Sequence, residues 1–139
     1  MNKTITLDSS VFRTQEFLDW LMSDYSPHNR HIFPLTLYIE VLVWYEMRGL
    51  QRGDLDMDLE KMRTEIVPFE MGIVDALMTN IRANPRFQFR HHARAFLIGT
   101  ICQKQQSLLI TYNKRHFVWL DSKMVFTPEE YLKKALKME

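Results

Sequence analysis

An α/β fold with about five mostly parallel strands is the class this sequence predicts, and three observations predict it. Short β-branched or apolar runs alternate with amphipathic segments of helical length along the whole chain. The run LLIT near residue 110 is almost wholly apolar, as a parallel strand covered on both faces should be. Polar, oxygen-bearing residues recur just after the strand-like runs, where an open parallel sheet gathers its ligands.

Residues 4–7 (TITL) form the first expected strand, which stops at Asp8 and so delivers an acid at its carboxyl end. A helix is expected over 11–22, because Val11, Phe12, Phe17, Leu18, Leu21 and Met22 recur at helical spacing while Arg13, Gln15, Glu16 and Asp19 face outward. Pro27 and Asn29 in DYSPHNRH supply the turn that ends this unit. A second strand follows over 32–36, broken or led by Pro34, and then an apolar helix over 37–47 that stops at Gly49, with Glu40 in its first turn. The polar stretch 51–63 reads as a loop leading into a short helix with acids at its start. Residues 65–69 are the third strand, 70–83 a helix ended by Asn84 and Pro85, and 91–105 a further helix carrying Phe96, Leu97, Ile98 and Ile101 inward. Residues 108–111 and 124–126 complete the strands, and Thr127, Pro128, Glu129 and Glu130 spell a capping box with proline at the first helical position.

With 139 residues, 46% apolar and 25% charged, the chain fits one globular domain, residues 1–139, with no repeat or disordered tract. A net charge of +1 provides no global field toward nucleic acid or lipid, so any RNA contact must be local. One cysteine, Cys102, makes no intramolecular disulfide, and no zinc spacing exists. A reducing cytoplasmic setting is expected, with no export signal at the N-terminus and no apolar run near the roughly 20 residues of a membrane span.

Asp8 after the first strand, Glu40 after the second and Asn113 after the fourth place three metal-compatible oxygens at one sheet edge. LDSSVF at 7–12, LTLYIEVL around Glu40, FLIGTICQKQQSLLITYNKRHF at 96–117 and the closing VFTPEEYL together resemble the ordered motifs of the PIN-domain family. That resemblance covers nearly the whole chain and implies a three-layer sandwich and a ribonuclease, with the VapC-like toxins of toxin–antitoxin pairs among its relatives. It implies that Asp8 and Glu40 hold Mg²⁺ or Mn²⁺, which would activate water for RNA hydrolysis, while Asn113 assists and Thr111 and Ser10 orient ligands. It also implies RNA as substrate, an antitoxin or other protein partner, and a homodimer. The sequence departs from the family at Ala95, where an acid is expected immediately before FLIGT. A degenerate relative, a deliberately inactivated form, or replacement ligation by His91 or His92, which share a helical face with position 95, each account for it. A degenerate PIN module binding RNA or a protein without cutting is therefore the alternative function, and neighbouring Arg94 would weaken cation binding.

Competing readings accompany each site. Asp8 also reads as a helix N-cap, and Glu40 as a partnered core acid. His91 and His92, with Arg90 and Arg94, read either as phosphate or metal ligands or as a solvated helix start, and Lys114, Arg115 and His116 either contact an RNA backbone or form a solvated loop. Asp54, Asp56 and Asp58 mimic the start of a calcium loop, yet Leu59 stands where that loop needs glycine. Cys102, in an apolar helix, reads as a packed small side chain. A flavodoxin-like receiver or nucleotide-binding domain shares the strand-end acids but not the phosphate-accepting pattern.

Overall fold

Strand β1 (Lys3–Leu7) is the centre of the sheet in a computed structural model that describes residues 3–23 and 29–137. β2 (Asn29–Pro34) and then β3 (Thr64–Val67) lie on one side of it, and β4 (Leu108–Ile110) and then β5 (Val125–Phe126) on the other. Every ladder is parallel, with Thr6 opposite Ile32 and Leu7 opposite Ile110. Parallel neighbours need crossovers, and the helices α1 (Gln15–Leu21), α2 (Leu35–Met47), α3 (Arg52–Lys61), α4 (Val74–Ala83), α5 (Phe89–Lys104) and α6 (Pro128–Lys137) supply them. Because the chain runs outward through β2 and β3 and then returns to the far side of β1, the strand order reverses between β1 and β4. Side chains leaving the carboxyl ends of those two strands converge there.

The apolar pattern accounts for the core. Ile5 and Leu7 of β1 are fully buried, as is Thr6 between them, so both faces of the central strand are covered. Phe17, Phe33, Leu37, Val41, Ile98, Leu109 and Phe117 pack into the same cluster, drawing in each layer.

Boundaries differ from the sequence expectation where polar local chemistry intervenes. The single helix expected over 11–22 is instead a 3-10 turn (Ser9–Arg13) and then α1, parted at Thr14, whose backbone is extended. Asp8 causes the first turn by capping it, its carboxylate accepting the Ser9 N–H. The second strand ends at Pro34 rather than at 36, and α2 begins at once, since proline has no N–H to extend the ladder and serves here as the residue before the helix. Glu40 consequently lies in the second turn of α2, not the first. Pro68 likewise closes β3 before Phe69, and a 3-10 turn (Met71–Ile73) precedes α4. The turn expected around Pro27 lies outside the described residues.

Three sequence features resolve into capping or packing devices. Asp56 accepts a hydrogen bond from Tyr38 and Asp58 one from Tyr45, both at 2.6 Å, while the Asp54 carboxylate accepts the Gln51 N–H at 2.7 Å. The acid triplet that mimics a calcium loop therefore caps α3 and ties it to α2. Thr127 and Glu130 make the reciprocal pair of a capping box at α6, as expected. Cys102 is buried and donates to the Ser107 carbonyl at 2.9 Å.

Gly99 is where α5 comes closest to the segment after β4. A Cβ there would sit 2.5 Å from Cη2 of Trp119. That ring is held by Phe96, 5.0 Å away between centroids, and by its N–H to the His116 carbonyl at 3.2 Å. Alanine would gain about 1 kcal/mol of helix propensity, but overpacking a held ring costs about 1–3 kcal/mol. Gly99→Ala is therefore expected to lower stability, by about 1 kcal/mol net, read as a fall in the urea midpoint. An unchanged or raised midpoint would show that Trp119 is free to move aside.

Candidate functional site

Asp8 emerges from β1 into the switch point with its side chain fully excluded from solvent. Each of its oxygens accepts two hydrogen bonds. Oδ1 takes the Ser9 N–H at 2.8 Å and Nη2 of Arg94 at 2.6 Å. Oδ2 takes the Thr111 hydroxyl at 2.6 Å and the Ser10 hydroxyl at 3.2 Å. A carboxylate offers about four acceptor positions, and all are taken.

Glu40 approaches from α2 and is joined to Asp8 through two intermediates. Its Oε1 accepts the Ser9 hydroxyl at 2.9 Å, and its Oε2 accepts Nε of Arg94 at 3.0 Å. The same Nη2 that binds Asp8 also donates to Ser9 Oγ at 2.7 Å. One guanidinium from α5 thus spans both acids, with 37% of its side chain exposed against 32% for Glu40. Burial alone would lower the Arg94 pKa, but the Asp8 charge and the Glu40 hydrogen bond outweigh it and raise the value. The charges on all three groups reinforce one another.

The strand-four residues shape this pocket through backbone as well as side chain. Thr111, fully buried, donates to Asp8 and accepts the Asn113 N–H at 3.0 Å. Ser10 Oγ accepts the Tyr112 N–H at 3.1 Å. Asn113 contributes its backbone N–H to Thr111, and among the described residues its side chain bonds neither acid. His91 is exposed, 3.3 Å from Arg90. His92 interrupts α5 with a non-helical backbone and meets Phe87 edge to face and His116 at 6.1 Å between centroids. Neither histidine joins Asp8 and Glu40 in a metal-type cluster, since no three His, Cys, Asp or Glu side chains gather so among the described residues.

The α5 residue aimed at the acids is Arg94, not Ala95. Ala95 is buried in the apolar core, 6% exposed. One residue along a helix turns the side chain by about 100°, enough to separate these two environments. Arg94 and Ser9 are the site residues that motif reading underweighted. The signal for Arg94 was present: it is the only charged residue between His92 and Lys104 in an otherwise apolar stretch, where a charge needs a partner.

A Mg²⁺ or Mn²⁺ ion prefers several hard oxygen ligands. The residues present do not fit one: Asp8 has no lone pair to spare, Glu40 is paired with Arg94, and that cation already stands between the two acids.

No protein-family model matches the chain, and no curated protein matches it. Among solved structures, the fold matches a chain of a toxin–antitoxin complex from Klebsiella pneumoniae with a TM-score of 0.65, 18% identity, and coverage of 89% of this chain and 97% of that one. It also matches a chain of VapBC-1 from nontypeable Haemophilus influenzae with a TM-score of 0.61, 13% identity, and coverage of 89% and 96%. At such identities the likeness establishes architecture: a PIN-like three-layer α/β sandwich. No described helix is long and apolar enough to cross a membrane.

Ala95→Asp, the substitution that would supply the family's acid by sequence, is expected to place a charge in the core. The variant should lose about 2–4 kcal/mol of stability, measured by chemical denaturation, without gaining stabilisation from Mn²⁺. A Mn²⁺-dependent rise in its melting temperature would show that position 95 can reach the acids.

Proposed function

We propose that this chain is a PIN-fold protein of the toxin–antitoxin kind that works by binding a protein partner, its acid pair held for architecture and not for metal-dependent RNA cleavage. The observation that carries this reading is the Arg94 guanidinium spanning Asp8 and Glu40. Both solved neighbours come from complexes named for a toxin with its antitoxin or as VapBC, which supports a protein partner here.

A groove of about 560 Å³ suits such a partner. Phe12, Leu18, Trp44, Met47 and Leu50 line it, and Arg13 and Arg48 frame it. Met47 is 79% and Leu50 43% exposed, an unusual outlay of apolar surface at a helix end. Arg13 stacks over Trp44 at 5.8 Å, which sets a cation beside the apolar floor. A segment with aliphatic or aromatic anchors and an accompanying acid matches these features. The groove is built from the 3-10 turn after Asp8 and from α2, which carries Glu40, so a partner seated there lies against both elements of the acid site.

Two measurements test the proposal. Incubated with single-stranded RNA and Mg²⁺ or Mn²⁺, the purified chain is expected to cleave no faster than Asp8→Asn; cleavage that Asp8→Asn abolishes would return it to the metal-dependent ribonucleases. Met47→Asp, at a site too exposed to unfold the protein, is expected to lose a stoichiometric partner co-purified from the native host, while Asp8→Asn keeps it. Retention of the partner by Met47→Asp would remove the groove from the reading.

A further inference from the structure

The sheet has two open edges, and they are finished differently. β5 is two residues long, and the Lys134 ammonium lies 4.8 Å over the ring of its Phe126. β3 is four residues long and pairs only with β2, so the N–H and C=O groups on its other side have no backbone partner among the described residues. Proteins commonly guard such an edge with a charged side chain. Glu65, the charge that β3 carries, is committed elsewhere: Arg30 of β2 draws it back, with both carboxylate oxygens accepting from the guanidinium at 3.2 Å. Ile66 beside it is 36% exposed, a β-branched side chain on an unpaired strand.

A hollow lies against each face of this edge. Successive residues of a strand point to opposite faces, and the two linings follow that alternation. Glu65 and Val67 border a hollow of about 250 Å³ whose apolar lining is completed by Ile73 and Ile101. Thr64 and Ile66 border one of about 370 Å³ on the other face, shared with Tyr38 of α2 and Leu59 of α3. A strand added to β3 would send its own alternate side chains toward these two hollows.

Unmatched charge distinguishes the hollows. Arg30 is paired with Glu65, and Arg52 with Asp56 at 3.9 Å. Glu60, in the hollow beside Ile66, has neither an ion pair nor a hydrogen bond among the described residues, which leaves an acid over an apolar lining. A lysine or arginine suits it, laying its stem along Leu59 and Ile66 and its cation toward Glu60. In the hollow beside Val67, Glu70 and Lys104 are both unpaired among the described residues and offset one another. An aliphatic side chain suits that one, covering Ile73 and Ile101.

We propose that β3 is a docking edge for an extended segment of a protein partner, which joins the sheet as a sixth strand and alternates aliphatic with basic residues. The aliphatic residues enter the hollow beside Val67, and the basic ones lie beside Glu60. No residue of this surface is shared with the groove lined by Trp44 and Met47, so the inference stands apart from that groove.

Fluorescence anisotropy of the whole chain with labelled acetyl-Val-Lys-Val-Lys-Val-amide tests it. A Kd on the order of 0.1 mM is expected. N-methylating the valines removes the N–H groups along one edge of the peptide and N-methylating the lysines those along the other, so only one of the two methylated forms should bind. Gly72 lies in an exposed turn where an added Cβ meets nothing nearer than Nζ of Lys104 at 3.9 Å. Gly72→Leu therefore fills the hollow beside Val67 and should weaken binding about tenfold. Glu60→Lys should weaken it about threefold and favour acetyl-Val-Glu-Val-Glu-Val-amide instead. Met47→Asp should leave the peptide bound as before, so failure of the groove and failure of this edge are separable. No binding at millimolar peptide, equal binding of the two methylated forms, or unchanged binding by Gly72→Leu would each overturn the proposal. So would a dimer in sedimentation velocity that Ile66→Lys dissociates, because the edge would then belong to a second copy of the chain.

Discussion

The guanidinium of Arg94 is the counter-charge on which the carboxyl end of this sheet depends. Asp8 and Glu40 arrive from different crossovers, one fully buried and one partly, and each stands within 3.0 Å of the same side chain. Without a cation between them, two carboxylates in a poorly solvated pocket would repel one another. With it, the turn after β1, the second turn of α2 and the front of α5 are drawn to a common point. The partial exposure of Arg94 tempers the energy of each pair, but the network of Ser9, Ser10 and Thr111 behind Asp8 does not depend on exposure, because those partners are buried.

Much of this architecture was legible in the residues. Strand positions followed from short apolar runs, the first stopping at Asp8, and the final helix announced itself through Thr127, Pro128 and Glu130. Legibility failed where a side chain competed with the backbone for hydrogen bonds. Asp8 capping its own following turn divides the expected helix at Thr14, an outcome that apolar spacing alone cannot register, because Val11 and Phe17 are buried either way. Pro34 reads equally well as a strand breaker or as a residue before a helix, and only the packing of Leu37 and Val41 decides for the second.

At the acid site the limit was different in kind. Motif reading singled out Asp8, Glu40 and, on α5, Ala95, which lies in the apolar core while its neighbour Arg94 reaches both acids. Sequence comparison by pattern measures distance along the chain, whereas a helix distributes neighbours by angle, so a single-residue offset exchanges the pocket for the core. Physical consistency was the better guide: an arginine in the run between His92 and Lys104 cannot be stranded among Phe96, Ile98 and Ile101 without a carboxylate to receive it. The DLDMD acids yield to the same test, since each one has a hydroxyl or amide donor that accounts for it.

A chain-borne cation and a divalent ion answer the same electrostatic need with different consequences. Both neutralise clustered carboxylates and gather remote segments. A metal also keeps open coordination positions, at which it acidifies water and draws charge off a phosphate. A guanidinium keeps none: its donors point in fixed in-plane directions, its pKa lies too high to exchange protons near neutrality, and it cannot ligate a nucleophile. What Arg94 retains beyond neutralisation is a single nitrogen, Nη1, with no partner among the described residues. Substituting one for the other therefore preserves the gathering of the acid-bearing segments while giving up the open coordination positions.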